Sequence, residues 1–149
     1  MQQMTFTTTI KAPRELVWNT MLDPASYREW TRPFMEGSYY EGSWDEGATI
    51  RFLSPSGEGM VATIERNQLH EFISIRHLGF VANGQDDTTS EAVTSWAPAH
   101  ENYRFEAVGG GTQLTITQDM LEDYVPMMEA AWPKALEALR ALCEAKAKA

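Results

Sequence analysis

The fold is decided by the C-terminal stretch 124-YVPMMEAAWPKALEALRALCEAKAK-148. Its apolar side chains recur every three or four residues, at Val125, Met128, Trp132, Leu136, Leu139 and Cys143. This is the period of an amphipathic helix with one apolar face and a largely charged opposite face. Such a helix would be roughly 35 Å long, enough to cross a small domain. Pro133 removes a backbone donor inside it, so we expect a kink near Trp132.

The composition is that of one globular domain spanning residues 1–149, with 43% hydrophobic residues. The net charge of −9 argues against nucleic acid and against anionic membrane surfaces as partners, because both need a positive footprint. No apolar run approaches the ~18 residues of a membrane span, and no signal peptide is evident. The single cysteine excludes an internal disulfide. We therefore expect a cytoplasmic protein without membrane insertion.

The N-terminal pattern predicts a strand over Met4–Ile10, because apolar residues and threonines alternate there. Two short helices should follow, one beginning at Ala12-Pro13 and one at Asp23-Pro24, where a carboxylate precedes proline. Beyond them, turn signals and period-two alternation predict six further strands. These strands are expected at 37–43, 48–53, 58–66, 71–78, 101–108 and 112–118.

The stretch Gly79–Ala99 has the weakest pattern in the chain. Asn83-Gly84 and a run of polar residues predict an exposed loop, with one helical turn around Ser90–Trp96. A loop of this length is often a lid or a binding segment, so we expect any cavity to open beneath it. Its acidic residues are interpreted as a solvated surface, the alternative being a lid that carries an acid; they are Asp86, Asp87 and Glu91.

The element order predicts an α+β helix-grip fold. A curved antiparallel sheet of about six to seven strands would wrap around the long C-terminal helix, with two short helices after the first strand.

Several motifs resemble the START-like (SRPBCC) helix-grip superfamily. They are Ile10-Lys11-Ala12-Pro13, Val17-Trp18, Asp23-Pro24, Trp30, Glu101-Asn102-Tyr103, the run from Gly109 to Thr115, and Trp132 with Leu136 and Leu139. Within that superfamily the chain resembles homologues of the C-terminal domain of the heat-shock protein 90 ATPase activator. The resemblance implies a hydrophobic cavity between the long helix and the sheet. It carries over no catalytic residue.

Few side chains in the sequence are candidates for catalysis or metal binding. His70 and His100 are expected at the surface, whereas His77 shares the parity of inward-facing isoleucines and should point inward. Cys143 lies on the apolar stripe and is expected to pack in the core. No group of residues has metal-ligand spacing, so we predict no metal site and no cofactor. Glu101 could reach inward, but a single carboxylate without a partner is weak evidence for acid–base chemistry.

The strongest functional signal is a set of aromatic, methionine and histidine side chains that this fold would bring together. The predicted ligand-binding residues are Trp30, Phe34, Phe52, Met60, His77, Trp96, Tyr103, Met128 and Trp132. The alternative interpretation is that these side chains simply fill the core. Among them Tyr103, His77 and Trp132 could provide polar anchors for a ligand.

Three functional hypotheses follow, in this order. The first is a non-enzymatic protein that binds a small hydrophobic or amphipathic molecule. The second is a protein-interaction module related to the chaperone activators, whose acidic surface would suit a basic protein partner. The third is a cyclase-, dehydratase- or hydrolase-like enzyme that uses Tyr103 or His77. It requires two polar groups within hydrogen-bond reach that face an open pocket.

Overall fold

A computed structural model describes residues 1–148 and confirms the helix-grip fold. A long C-terminal helix packs on one face of an antiparallel sheet, and two short helices follow the first strand. In chain order the elements are β1 (Gln2–Ile10), α1 (Arg14–Leu22), α2 (Pro24–Trp30), β2 (Tyr39–Gly42), β3 (Thr49–Leu53), β4 (Gly59–Gln68), β5 (Phe72–Ala82), β6 (Gln85–Asp87), α3 (Glu91–Thr94), β7 (Ala99–Val108), β8 (Gly111–Met120) and α4 (Val125–Ala147).

The sheet has eight strands in the order β1-β8-β7-β5-β4-β3-β2, with β6 paired to β5. Every neighbouring pair is antiparallel. The first strand therefore pairs with the last strand, and the hairpins of the chain connect most of the others. The count exceeds the predicted six to seven because β6 is an additional strand.

Helix α4 follows the predicted apolar stripe. Trp132, Leu136, Leu139 and Cys143 are buried, while Val125 and Met128 near its start are half-buried. The helix runs through Pro133 without a break, and the kink expected there stays a prediction. It contacts α1, α2 and β1 and belongs to one core cluster with the strands. No helix within residues 1–148 is both long and apolar enough to cross a membrane.

The start of α2 is formed as the sequence predicts. The Asp23 side chain accepts a hydrogen bond from the Ser26 backbone N–H at 3.0 Å, and Pro24 occupies the first helical turn. At the other end of α2, the indole N–H of Trp30 donates to the Met21 carbonyl oxygen at 3.1 Å. This contact ties α2 to α1, so that Trp30 is held beneath α4.

The prediction of an exposed loop over Gly79–Ala99 is wrong for its first part. Strand β5 continues to Ala82 and turns through Asn83-Gly84 into β6. Asn83 and Gly84 have φ values of 54° and 73°, the positive angles that a tight hairpin turn requires. The predicted helical turn is present as α3.

The hairpin of β5 and β6 is fixed by acidic side chains that the sequence left ambiguous. Asp86 accepts hydrogen bonds from the Arg51 guanidinium at 3.0 and 2.6 Å, so β6 is tied to β3. The same contact lowers the pKa of Asp86 and raises that of Arg51. Asp87 accepts a hydrogen bond from the Ser90 backbone N–H at 3.0 Å and leads into α3. Both carboxylates therefore have structural partners.

The strand predicted over 58–66 ends too early, because β4 continues through Asn67 and Gln68 and pairs there with β5. The Asn67 side chain donates to the Trp44 carbonyl oxygen at 2.8 Å, and its backbone N–H donates to Glu46 at 3.0 Å. These tertiary contacts outweigh the turn preference of asparagine.

Candidate functional site

A cavity of about 290 Å³ lies between α2, the N-terminal part of α4 and strands β3, β4, β5, β7 and β8. Its wall is mainly apolar, which is typical of small-molecule sites. Eight of the nine predicted ligand-binding residues line it: Trp30, Phe34, Phe52, Met60, His77, Tyr103, Met128 and Trp132. The fold therefore brings these side chains together around open space, and their contact with a ligand stays a prediction.

The ninth residue, Trp96, lies outside this cavity. It is buried in a separate cluster with Val93 and Ala99, and its ring approaches Phe80 at 5.1 Å between centroids. The short helix α3 places it there, beside β5. The half-buried Met60 packs against the same cluster, so Trp96 supports the cavity wall from outside.

The sequence predicted that the cavity would open beneath residues 79–99. This is wrong, because none of those residues lines the cavity. Its exposed lining residues are Met35, Glu58 and Met127. They come from the α2–β2 connection, the β3–β4 turn and the first turn of α4. The opening therefore lies where these three segments meet. The hairpin of β5 and β6 lies elsewhere, as part of the sheet.

Trp132 is the central aromatic residue of the site. Its ring stacks on Phe6 at 5.8 Å between centroids, and Phe34 meets it edge-on at 4.8 Å. Trp30 and Tyr103 approach at 6.3 and 6.1 Å. Only 2% of Trp132 is exposed, so one side chain joins α4 to the sheet, to α2 and to the segment that follows it.

The polar part of the wall is one connected hydrogen-bond network. The Trp132 indole N–H donates to Gln118 Oε1 at 2.8 Å, and Gln118 Nε2 donates to Glu101 Oε1 at 3.1 Å. His77 Nε2 lies 3.0 Å from the same oxygen, and the Tyr103 hydroxyl donates to Glu101 Oε2. Because a carboxylate only accepts hydrogen bonds, the proton between His77 and Glu101 is placed on the imidazole. Glu101 is thus the common acceptor of three donors.

The register of three strands assembles this network. Glu101 in β7 pairs with Gln118 in β8 on one side and with Ile75 in β5 on the other. His77 and Tyr103 each lie two residues further along their strands and therefore share the inner face of the sheet. The helix-grip topology places Trp132 over this face, where it reaches Gln118.

Burial and the carboxylate together fix the protonation of the two cavity tyrosines. Burial, then the charge of Glu101 and then the hydrogen bond to Glu101 raise the pKa of Tyr103 well above its usual value. Burial, followed by the charges of Glu101 and Tyr40, also raises the pKa of Tyr27 strongly. Both hydroxyls therefore keep their protons at neutral pH.

Two polar atoms of lining residues lack a hydrogen-bond partner within residues 1–148. They are Nδ1 of His77 and Nε1 of Trp44, and both are buried. Each ring lies 5.7 Å from Phe52 between centroids. An unsatisfied buried polar atom costs about 1–3 kcal/mol. Because both atoms are buried, they do not face the cavity itself.

The remaining candidate residues lie away from the cavity. His70 packs edge-on against Trp18 at 5.8 Å, and His100 Nε2 lies 2.7 Å from a Glu65 carboxylate oxygen. Burial raises the pKa of Cys143 to about 11, so its thiol is protonated and unreactive at neutral pH. Among residues 1–148 no group of three or more His, Cys, Asp or Glu side chains is placed to hold a metal ion.

Sequence reasoning missed part of the site. Gln118 was not selected, although it shares the period-two parity of Leu114 and Ile116, which are buried. Tyr27 and Trp44 also line the cavity and were not predicted. The sequence alone does not identify the partners of Glu101, because they depend on the register of β5, β7 and β8.

The sequence profile of one protein family matches residues 11–144, nearly the whole chain. Its description is "Activator of Hsp90 ATPase homolog 1-like protein". The chain belongs to this family. The resemblance inferred from the motifs is thereby confirmed, and a search of curated proteins found no match.

Solved structures with the same fold come from several bacteria. Protein CV1439 from Chromobacterium violaceum is 20% identical, with a TM-score of 0.66 over 97% of this chain and 99% of the other. The Aha1 dimer from Colwellia psychrerythraea is 18% identical, with a TM-score of 0.72 over 97% of both chains. Protein Ms6760 from Mycobacterium smegmatis is 18% identical, with a TM-score of 0.69 over 97% and 92%. At these identities the likeness concerns the fold.

Proposed function

We propose that this protein binds a small hydrophobic or amphipathic molecule in the cavity between α4 and the sheet. The observation that carries the proposal is an open space of about 290 Å³ with an aromatic wall and one connected polar patch. The volume is at the lower end of the range usual for ligand sites, so the ligand should be small. Half-buried and exposed methionines at the opening can adapt to different apolar shapes.

The polar patch around Glu101 supports the same proposal. A carboxylate has about four acceptor sites and Glu101 receives three hydrogen bonds, so a ligand with a polar end can provide a further one. The apolar body of such a ligand would lie against Trp30, Phe34 and Trp132. The arrangement suits an amphipathic molecule better than a pure hydrocarbon.

The proposal predicts a rise in melting temperature with ligands that fit the cavity. The test is a thermal-shift screen of small aromatic and single-chain lipid molecules, followed by native mass spectrometry of the hits. A ligand at a hundred times its Kd stabilises the folded state by about 2.7 kcal/mol, which is roughly 5–10 °C for a domain of this size. A screen without any shift or bound adduct would remove the proposal.

A pair of variants on α4 tests whether a hit occupies this cavity. Met128→Trp places a larger side chain on the cavity wall and should weaken binding at least about tenfold. Val125→Trp introduces the same side chain at a half-buried position outside the lining residues and should leave binding nearly unchanged. Isothermal titration calorimetry measures both. Equal losses in the two variants would place the ligand elsewhere.

A second candidate function is interaction with another protein, as the family description suggests. The observation that favours it is a pair of exposed apolar side chains at the start of α4, Tyr124 at 49% and Met127 at 53% exposure. Isolated exposed apolar residues are common, so two of them favour this function only weakly. A pull-down with the purified protein as bait should enrich a chaperone that a Tyr124→Ser/Met127→Ser double variant fails to capture. Recovery of no chaperone would remove this candidate.

Acid–base catalysis is a third candidate. His77 is held by Glu101 through Nε2 while Nδ1 has no partner, which is how a carboxylate orients a catalytic imidazole. However, that Nδ1 atom is buried and therefore not exposed to the cavity. The discriminating measurement is the mass of a bound ligand after prolonged incubation. A product formed by the protein and not by His77→Phe would favour catalysis over binding.

A further inference from the structure

The charges on the cavity wall restrict the chemistry of the ligand. Within residues 1–148 the lining set contains no lysine or arginine, and its carboxylates are Glu58 and Glu101. Glu58 is exposed at the opening, whereas the Glu101 side chain is only 15% exposed. A negatively charged ligand would therefore lose its hydration next to a partly buried carboxylate without meeting a cationic side chain of lysine or arginine.

The hydrogen-bond directions within the network point to the same conclusion. Three donors converge on Glu101, so the hydrogens of His77 Nε2 and of the Tyr103 hydroxyl, and one of the two on Gln118 Nε2, are already engaged. A carboxylate offers about four acceptor sites, and a tyrosine oxygen that donates can still accept. The free capacity of this polar patch is thus mainly capacity to accept.

The raised pKa of Tyr103 is consistent with this assignment, because its hydroxyl keeps the proton that it donates to Glu101. The Gln118 amide is fixed in the same sense, since its oxygen accepts from Trp132 and its nitrogen donates to Glu101. Reversing the direction of the network would place the Gln118 amide oxygen beside the carboxylate and leave two acceptors facing each other. The donor and acceptor role of each group in the network is therefore fixed.

Building on the function proposed above, we propose that this cavity selects ligands whose polar end donates hydrogen bonds, namely alcohols, phenols or amines, and discriminates against carboxylic acids. Glu101 is the specificity-determining residue, and His77, Tyr103 and Gln118 hold its carboxylate in place. The apolar wall around Trp132 binds the apolar body of the ligand and does not distinguish between polar end groups. Fatty acids and other anionic amphiphiles are therefore poor ligands.

A matched series of naphthalenes tests this selection, because only the group at one carbon changes. The probes are 2-naphthylmethanol, 2-naphthylmethylamine, 2-methylnaphthalene and 2-naphthoate, titrated by calorimetry at neutral pH. We expect the alcohol and the amine to bind at least about tenfold more tightly than the carboxylate, with the methyl compound between them. The discrimination should persist at about 1 M salt, since a partly buried charge is little screened.

Two variants assign the discrimination to one carboxylate. Glu101→Gln removes the buried charge and should reduce the ratio of alcohol to carboxylate affinity by about tenfold, and the affinity for 2-methylnaphthalene measures any change in the apolar wall itself. Glu58→Gln makes the same chemical change at the exposed opening and should alter the ratio by less than about twofold. Should Glu101→Gln fail to fold, the probe series on the unaltered protein still tests the selection against carboxylic acids.

The outcomes separate the two proposals. Binding of 2-methylnaphthalene together with equal affinities for the alcohol and the carboxylate would overturn the selection and leave the cavity as a ligand site. A stronger affinity for the carboxylate would do the same. Absence of binding by all four probes would overturn both proposals. Equal loss of discrimination in Glu101→Gln and Glu58→Gln would show that overall surface charge, and not the polar patch, excludes anions.

Discussion

Replacing Trp132 with alanine should lower the free energy of unfolding by about 3–5 kcal/mol, the range found for large aromatic side chains in cores. The residue is 2% exposed and contacts aromatic rings from β1, α2, β7 and the segment that follows α2. Its loss would enlarge the existing cavity, and the surrounding side chains could not move in far enough to fill the added space. It would also leave Gln118 Oε1 without its donor.

Two further substitutions separate these contributions. Trp132→Phe keeps an aromatic ring but removes the indole N–H, and it should cost about 1–3 kcal/mol, less than alanine. Lys134→Ala changes an exposed position two residues away and should stay within about 0.5 kcal/mol of the unaltered protein. Urea denaturation followed by circular dichroism measures all three. An alanine variant as stable as the lysine control would contradict the central place given to Trp132.

The helices were predictable because their signals are local. The period of α4 and the carboxylate before proline at the start of α2 each lie within a few consecutive residues. The fold follows from these signals because an amphipathic helix of such length needs a broad sheet to cover its apolar face. Tertiary contacts change only the bounds of these elements.

The part that sequence reasoning missed depends on pairing between distant strands. β6 consists of the polar residues Gln85–Asp87, which have low strand preference, and it exists through its pairing with β5 and the Arg51–Asp86 ion pair. Glu101 shares parity with Tyr103, so its inward direction was predictable. Its partners were not, because they depend on the register of three strands. Whether converging aromatic side chains fill a space or enclose one depends on packing, which residue spacing does not determine.

A steep loss of stability above about pH 10 is the second large effect that we expect. Tyr27 and Tyr103 are protonated in the folded state because burial and the nearby Glu101 charge raise their pKa values. In the unfolded chain both would ionise near pH 10. Above that pH the unfolded state binds fewer protons than the folded state, so the free energy of unfolding falls as pH rises. Each tyrosine contributes about 1.4 kcal/mol per pH unit to this decline, so the two together contribute about 2.8 kcal/mol per pH unit.

Single substitutions test this account through the slope of stability against pH, not through its absolute value. Tyr103→Phe removes a donor to Glu101 and should lower stability at neutral pH, yet it should also make the alkaline decline about 1.4 kcal/mol per pH unit shallower. Tyr27→Phe should change the slope by the same amount. Tyr124→Phe, at an exposed position, serves as the control and should retain the full slope. Urea titrations between about pH 8 and 11 provide the data, and four parallel curves would mean that neither cavity tyrosine holds its proton on folding.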